Sequence, residues 1–234
     1  MKKVAWLALT AIVVGSVSTA QALDDEQKCR SGRAQAKGTY EMCVQTVMAK
    51  GERDGFVDSA KLLKCKDKYA AVWTKLQALK NSPSCSAQDR FVDNGNGTFT
   101  DRLTFLTWEM KSGAPDFNYN YADVHDPDNL YALDFINVGG DDDGGAYDDF
   151  LKTLNTLNGG FGFAGARGWR LPTLAELLTI YGEPILGSVA YSHWSTSNDQ
   201  ANPGQAWAWH FGSGFISAGP KWGVQAVRAV RGGL

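Results

Sequence analysis

Apolar residues recur at helical spacing in the last third of the chain. Leu174, Leu177, Leu178 and Tyr181 lie at i, i+3, i+4 and i+7, on one face of an α-helix. Thr173 and Glu176 have the spacing of a capping box, in which each side chain accepts a hydrogen bond from the other residue's backbone N–H. Pro172 fixes its own φ and favours an extended residue before it. The pattern predicts an extended segment that turns into a helix packed on a core, and we find no catalytic constellation in it.

Two more helical patterns lie near the N-terminus, at Ala34–Ala49 and Ser59–Leu79. Residues 50–55, a polar segment with two glycines, separate them and allow the chain to fold back. Pro83 follows the second pattern within a short Asn/Ser segment that is typical of a helix end and a domain boundary. The sequence therefore predicts an α-helical hairpin over residues 23–89.

All four cysteines of the chain lie in this hairpin. They lack the short Cys pairs of a metal site and the C-x-x-C of a redox pair, so structural disulfides are the favoured interpretation. If the chain folds back at residue 54, Cys43 and Cys65 lie equally far from the bend, and Cys29 and Cys85 meet near the open end. We predict the nested pairing Cys43–Cys65 and Cys29–Cys85 among the three possible connectivities.

The first 22 residues have the three parts of a secretory signal peptide. Lys2 and Lys3 precede an apolar run from Val4 to Val17, and small residues ending at Ala22 follow. The run is shorter than the roughly 20 residues that a membrane span needs. We expect cleavage after Ala22 and a mature chain that is periplasmic or secreted and has no membrane span. A short N-terminal anchor is the alternative interpretation.

Residues 90–234 carry β-strand patterns with helices between them. Asn94-Gly95-Asn96-Gly97 stands between β-forming residues, which is the strongest short-range signal for a hairpin. The other predicted elements are a strand at Leu103–Trp108, a helix at Tyr147–Leu157, a hairpin over residues 206–217 and a last strand at Val224–Arg231. Strand alternation places Arg228 and Arg231 on opposite faces, so we expect one of them in the core with a carboxylate or carbonyl partner.

The two parts of the chain differ in charge. Residues 23–89 contain 12 basic and 9 acidic residues, a net charge of +3, whereas residues 90–234 contain 9 and 16, a net charge of −7. Nucleic-acid binding depends on phosphate neutralisation, which an acidic surface does not provide. Nucleic acid is therefore not an expected partner.

The order of motifs from about Phe91 to Gly233 resembles the Lcl C-terminal-domain family. The motifs are Val92-Asp93-Asn94-Gly95-Asn96-Gly97-Thr98-Phe99-Thr100-Asp101, Leu106-Thr107-Trp108-Glu109, Trp169-Arg170-Leu171-Pro172-Thr173 with Glu176-Leu177, Trp194-Ser195-Thr196, Ala206-Trp207 and Val227-Arg228-Ala229-Val230-Arg231-Gly232-Gly233. One member of that family is the head of a bacterial collagen-like adhesin. The resemblance implies an α+β, C-type-lectin-like fold related to that of the formylglycine-generating enzymes, and binding of glycosaminoglycans or other surface glycans.

The chain departs from these relatives in three respects. It has no Gly-X-Y repeat, so a collagen stalk and its trimer are not implied, and the oligomeric state stays open. It has no cysteine after Cys85, which excludes the cysteine chemistry of the formylglycine-generating enzymes. The negative charge of residues 90–234 argues against sulfated polyanions as ligands.

The long irregular stretch of residues 111–146 is typical of a functional loop. Its aromatic and amide side chains suit stacking on sugar rings with hydrogen bonds at the ring edge. Trp108, Trp169 and Trp194 lie in fold motifs and are expected in the core. The candidate ligand-binding residues are Phe117, Asn118, Tyr119, Asn120, Tyr121, Trp207 and Trp209.

The same stretch is rich in aspartate, and carboxylate oxygens are the ligands that Ca²⁺ prefers. The spacing is not that of an EF-hand, and a solvated acidic loop is the alternative. No other cofactor is expected. The candidate calcium ligands are Asp123, Asp126, Asp128, Asp141, Asp142 and Asp143.

Two functions follow from these patterns. The first is an exported, non-enzymatic binding or adhesion module that recognises a glycan or a protein at the bacterial cell envelope. The alternative is a hydrolase-type envelope enzyme with a site built from the Asp-rich loop and His193 or His210. Neither a G-x-S-x-G elbow nor an H-E-x-x-H motif is present, so the binding module is favoured.

Overall fold

We describe the protein from a computed structural model. The structure describes residues 24–86, 89–113, 122–133, 145–183 and 191–233. The predicted signal peptide lies outside these ranges. No helix within them is long and apolar enough to cross a membrane.

The N-terminal part is a hairpin of two helices, α1 (Asp25–Asp54) and α2 (Ser59–Gln77). Asp24 begins α1 with a capping box. Its carboxylate accepts from the backbone N–H of Gln27, and the Gln27 side-chain oxygen accepts from the backbone N–H of Asp24. Gly55 ends α1 at a φ of 75°, a left-handed conformation that glycine adopts without strain. The two predicted helices and the fold-back are confirmed, but α1 continues through residues 50–54, which were predicted to belong to the bend.

Two disulfides connect the parts of the hairpin. Cys43 of α1 is bonded to Cys65 of α2, with 5.9 Å between the Cα atoms. Cys29, near the start of α1, is bonded to Cys85, beyond the end of α2, with 6.1 Å between the Cα atoms. The predicted nested pairing is confirmed. Two helices alone bury little apolar surface, and the two cross-links add to the stability of the hairpin.

The rest of the chain forms two sheets and short helices, so the predicted α+β class is confirmed. The described strands are β1 (Phe91–Asp93), β2 (Thr98–Asp101), β3 (Leu106–Glu109), β4 (Leu130–Ala132), β5 (Ser192–Asn198), β6 (Gln205–His210), β7 (Phe215–Pro220), β8 (Val224–Ala226) and β9 (Val230–Gly232). One sheet has the order β1-β2-β3-β9 and the other β4-β8-β5-β6-β7. All pairs are antiparallel except β5 with β8. The two predicted hairpins, β1–β2 and β6–β7, are confirmed.

Helical segments lie between β4 and β5. They are a π-helical turn (Ala146–Leu151), α3 (Lys152–Gly160), a 3₁₀ turn (Phe163–Gly165) and α4 (Leu174–Ile180). The predicted helix at Tyr147–Leu157 therefore begins as a π-helical turn. Its dihedral angles leave the helical region at Leu157, just before the two glycines.

The segment that leads into α4 has the predicted geometry. The Thr173 hydroxyl accepts from the backbone N–H of Glu176 at 3.2 Å, and the Glu176 carboxylate accepts from that of Thr173 at 2.8 Å. The same carboxylate forms two hydrogen bonds with the Arg170 guanidinium, at 2.7 and 2.8 Å. Trp169 and Leu171 are buried. This stretch therefore anchors the fold, and its polar side chains form hydrogen bonds within the stretch itself.

The last predicted strand, Val224–Arg231, is wrong in its continuity. Residues 227–229 separate β8 from β9. The Glu109 side chain explains the break, because its Oε2 accepts from the backbone N–H of Ala229 at 3.0 Å, outside the regular ladder. Arg228 is the buried arginine that the pattern predicted, and it donates to the Glu109 carbonyl oxygen at 2.8 Å.

The hairpin packs against the sheets. One cluster of buried apolar side chains extends from both helices into β2, β3, α4 and β6. The Tyr40 hydroxyl of α1 donates to the Ala175 carbonyl oxygen at 2.6 Å. The Lys66 ammonium of α2 donates to the Tyr181 carbonyl oxygen at 2.7 Å. Both contacts fix the hairpin against α4.

Candidate functional site

A crevice of about 470 Å³ lies between α1 and the two-sheet part of the chain. This volume is within the roughly 300–1,000 Å³ of ordinary small-molecule sites. One wall belongs to α1, and the other consists of the start of α4 with parts of β5 and β6. The lining residues are Glu41, Val44, Gln45, Met48, Ala49, Glu52, Thr173, Leu174, Ala175, Ser197, Asn198, Gln200 and Trp207.

The α1 wall is one face of the helix, because its lining residues recur at spacings of one, three and four between Glu41 and Glu52. Near one end, the Tyr40 hydroxyl donates a hydrogen bond to the Ala175 carbonyl oxygen. At the other end, the backbone N–H of Gln200 donates to the Glu52 carboxylate at 3.4 Å. The wall is thus held to the two-sheet part above and below the crevice.

The opposite wall depends on local irregularities of the two-sheet part. The backbone N–H of Leu174, at the start of α4, donates to the Ser197 hydroxyl at 3.0 Å, which joins α4 to β5. The pairing of β5 with β6 shifts register between Trp194 and Asn198. A bulge of this kind bends a strand and redirects its side chains. It places the end of β5 at the crevice.

The polar groups of the crevice are amides, carboxylates and the hydroxyls of Thr173 and Ser197, which already accept from backbone N–H groups. The side chains of Gln45, Asn198 and Gln200 are exposed and make no hydrogen bond to any residue that the structure describes. The carboxylates belong to Glu41 and Glu52. The crevice therefore offers both donors and acceptors to a polar ligand over an apolar floor.

The two tryptophans that the sequence proposed as ligand contacts differ in their exposure. Both belong to the apolar cluster shared with the hairpin, on one face of β6. Trp207 lines the crevice with 9% of its surface exposed. Trp209 is fully buried, and its ring packs against the edge of Tyr181 at 5.3 Å between centroids. Trp209 is therefore a core residue in this structure and offers no surface to a ligand.

Several other candidates lie outside the described residues. They are the aromatic and amide residues Phe117, Asn118, Tyr119, Asn120 and Tyr121, and the proposed calcium ligands Asp141, Asp142 and Asp143. Their roles stay predictions.

The three described aspartates of the calcium hypothesis bind protein groups. Asp123 accepts from the Ser112 hydroxyl at 2.6 Å and from the backbone N–H of His125. Asp126 accepts from the backbone N–H of Asp128, and the buried Asp128 accepts from a tyrosine hydroxyl at 2.7 Å. Within the described ranges, no three His, Cys, Asp or Glu side chains form a group that could hold a metal ion.

A buried charged cluster lies where β3 meets the segment between β8 and β9. It consists of Glu109, Lys111, His125 and Arg228. The Glu109 carboxylate contacts the Lys111 ammonium at 2.9 Å and Nδ1 of His125 at 3.0 Å. The ammonium also lies 4.6 Å above the Phe150 ring. The cluster thus joins β3, Lys111, His125 and the segment between β8 and β9.

Electrostatics keeps the central carboxylate of this cluster ionised. Burial alone would raise the pKa of Glu109, but the Lys111 ammonium and the hydrogen bond from His125 outweigh it and lower the pKa to about 2. Burial lowers the pKa of Lys111, and the attraction of Glu109 offsets this only in part. Since an ionised carboxylate only accepts, Nδ1 of His125 carries a proton. The Glu109 side chain is fully buried and that of Lys111 is 6% exposed, so the cluster acts as a structural network.

The two histidines of the enzyme hypothesis have structural partners. His193 is buried, and its Nδ1 lies 3.1 Å from the Tyr191 carbonyl oxygen. Burial, followed by the nearby Arg228 charge, lowers the pKa of His193 to about 3, so this imidazole is neutral near pH 7. His210 accepts from the backbone N–H of Ser213 through Nδ1 at 3.0 Å and thereby closes the β6–β7 turn.

Most of the crevice was missing from the sequence predictions. Trp207 was the one lining residue proposed as a ligand contact; the lining residues of α1 were assigned to a helix, except Glu52, which was assigned to the bend. A sequence signal did exist, because the α1 face combines apolar and carboxylate side chains. The partner of that face is a tertiary contact, which no local pattern specifies.

An α+β domain of two sheets, preceded by a disulfide-linked helical hairpin, is the class that this architecture defines. The sequence model of the Lcl C-terminal domain matches residues 97–231, more than half of the chain. The chain belongs to this family, and its hairpin lies outside the matched residues. A comparison with curated protein sequences finds no match.

Proposed function

We propose that the protein is an exported, non-enzymatic binding module that recognises a glycan at the bacterial cell envelope. The observation that carries this proposal is the crevice, where two carboxylates and three exposed amides without a described side-chain hydrogen bond surround an apolar floor that includes Trp207. Sugars complement such a surface, because their hydroxyl groups bond to amides and carboxylates and their ring faces are apolar. The α+β architecture and the family membership support a C-type-lectin-like fold for the two-sheet part.

Two further observations support this assignment. The disulfides are compatible with an oxidising compartment outside the cytoplasm. The histidines that an envelope hydrolase would use are engaged as neutral or turn-closing groups, so no described contact favours the enzyme. An envelope protein is the other ligand class that the sequence predicts, and a glycan fits the amide-rich crevice better.

Glycan-array binding of the mature chain tests the proposal. Asn198→Ala with Gln200→Ala removes two exposed amides without disturbing a described hydrogen bond of those side chains. Each lost hydrogen bond costs roughly 0.5–1.5 kcal/mol, so we expect affinity to fall about 5- to 100-fold. Gln35→Ala, an exposed amide of α1 outside the crevice lining, is the matched control and keeps wild-type affinity.

Two outcomes would contradict the proposal. One is an array on which the wild-type chain binds no glycan. The other is a bound glycan that mass spectrometry finds cleaved after incubation, since the proposal contains no enzymatic step. A parallel variant with Tyr119→Ala and Tyr121→Ala tests the predicted aromatic contacts, and loss of binding there would add that segment to the site.

A further inference from the structure

We infer that the crevice between α1 and the two-sheet part selects uncharged glycans that carry acetamido and hydroxyl groups, and rejects sulfated and uronic-acid glycans. This inference rests on the proposed function and adds the chemical class of the ligand. It follows from the charges, the hydrogen-bonding groups and the floor of the crevice.

The charge of the crevice is negative. Its described lining contains the carboxylates of Glu41 and Glu52 and no Lys, Arg or His. Among the described residues Glu41 contacts one cation, the Lys37 ammonium on the same helix, at 3.8 Å, and the Lys37 and Glu41 side chains are 33% and 47% exposed. Glu52 forms no ion pair with a residue that the structure describes. A ligand anion would therefore meet two carboxylates, and among the described residues only Glu41 has a cation beside it.

The hydrogen-bonding groups match an acetamido sugar. Gln45, Asn198 and Gln200 each present an N–H₂ donor and a carbonyl acceptor, and an acetamido group needs one of each kind. The carboxylates accept from sugar hydroxyls, as ionised carboxylates do. Neither contact requires a charge on the ligand.

The floor of the crevice is apolar. Val44, Met48, Leu174 and Trp207 supply it between the polar rims. Such a surface suits the C–H face of a sugar ring and the methyl group of an acetamide, because burial of apolar area is favourable. Sulfate and carboxylate groups gain nothing there and lose hydration.

Isothermal titration calorimetry with two oligosaccharides that contain the same number of N-acetylglucosamine units tests the inference on the full mature chain. One is the uncharged β-1,4-linked trimer of N-acetylglucosamine. The other is a hyaluronan hexasaccharide, in which N-acetylglucosamine alternates with glucuronate. Repulsion from two carboxylates is expected to weaken binding of the hyaluronan oligosaccharide at least about tenfold relative to the trimer. A heparin oligosaccharide is expected to bind more weakly still.

A charge-neutral variant separates repulsion from shape. Glu41→Gln with Glu52→Gln keeps the acceptor for the Gln200 N–H and removes both charges. We expect hyaluronan affinity to rise at least about fivefold, with affinity for the trimer changed less than threefold. Asp67→Asn, an exposed carboxylate of α2 outside the crevice lining, is the control and leaves both affinities unchanged.

The possible outcomes distinguish this inference from the proposed function. Equal or tighter binding of hyaluronan or heparin by the wild-type chain overturns the charge selection and leaves a glycan-binding module. The same holds if the trimer binds and the Asn198→Ala, Gln200→Ala variant binds it equally well. Absence of binding to every glycan, charged or uncharged, contradicts the proposed function itself.

Discussion

His193 makes the stability of the protein depend on pH in a way that can be measured. The ring is buried, bonded to a backbone carbonyl through Nδ1 and packed edge-on against Phe211 at 4.9 Å between centroids. Burial and the Arg228 charge lower its pKa from 6.5 to about 3. Between these values the unfolded chain holds a proton that the folded chain does not. Stability from this group is therefore complete above pH 6.5 and is lost as the pH falls toward 3.

The size of the effect follows from the shift. Each pKa unit corresponds to about 1.4 kcal/mol, so the neutral imidazole contributes up to about 5 kcal/mol to the pH dependence. The perturbation is His193→Asn, because the shorter amide retains an N–H for the Tyr191 carbonyl and cannot be protonated. We expect the variant to be less stable than the wild type at pH 7.5, since it loses ring packing. This deficit then shrinks as the pH falls, because only the wild type has to keep a buried imidazole neutral.

Urea unfolding followed by tryptophan fluorescence, with the disulfides intact, measures this at intervals from pH 7.5 to 3.5. The difference in free energy of unfolding between wild type and variant should change by about 4 kcal/mol in favour of the variant. Leu62→Ala, a buried residue of α2, is the control and lowers stability by about 2–5 kcal/mol at every pH. If the wild-type and His193→Asn curves stay parallel from pH 6.5 to 3.5, the reasoning about the buried neutral ring is refuted.

Three further variants probe the scaffold by urea unfolding at pH 7.5. Trp169→Ala should cost about 3–5 kcal/mol because the ring is buried, and a loss below 1 kcal/mol would contradict its place in the core. Replacing Cys43 and Cys65 by serine opens a loop with a sequence separation of 22 and should cost about 3 kcal/mol; unchanged stability would show that the bridge is dispensable. Tyr40→Phe removes the 2.6 Å bond to Ala175 and should cost about 1–2 kcal/mol, whereas no cost would argue against hairpin docking.

The parts of the fold that could be predicted have short-range causes. The capping box at Thr173 and the Asn-Gly hairpin each depend on a few neighbouring residues. The pairing of Cys43 with Cys65 follows from two helices and one bend between them. These features depend on residues that are close in sequence, so the sequence specifies them well.

The errors and omissions have long-range causes. The break between β8 and β9 arises because Glu109, 120 positions before Ala229, accepts from its backbone N–H. Strand alternation in the last segment carried no sign of that acceptor. Lys111 and His125 similarly become partners only through Glu109. Such pairings exist only in the folded chain, and no local sequence pattern predicts them.

The position of the crevice bears on what the family membership implies for the ligand. The family match covers residues 97–231, so it includes the wall formed by α4, β5 and β6 and excludes α1. Both crevice carboxylates and one of its three amides belong to α1. Family membership therefore accounts for the scaffold and half of the site, while the hairpin supplies the charge that would set the ligand class. A relative without this hairpin would have the Trp207 wall exposed, and its ligand is not expected to match that of this chain.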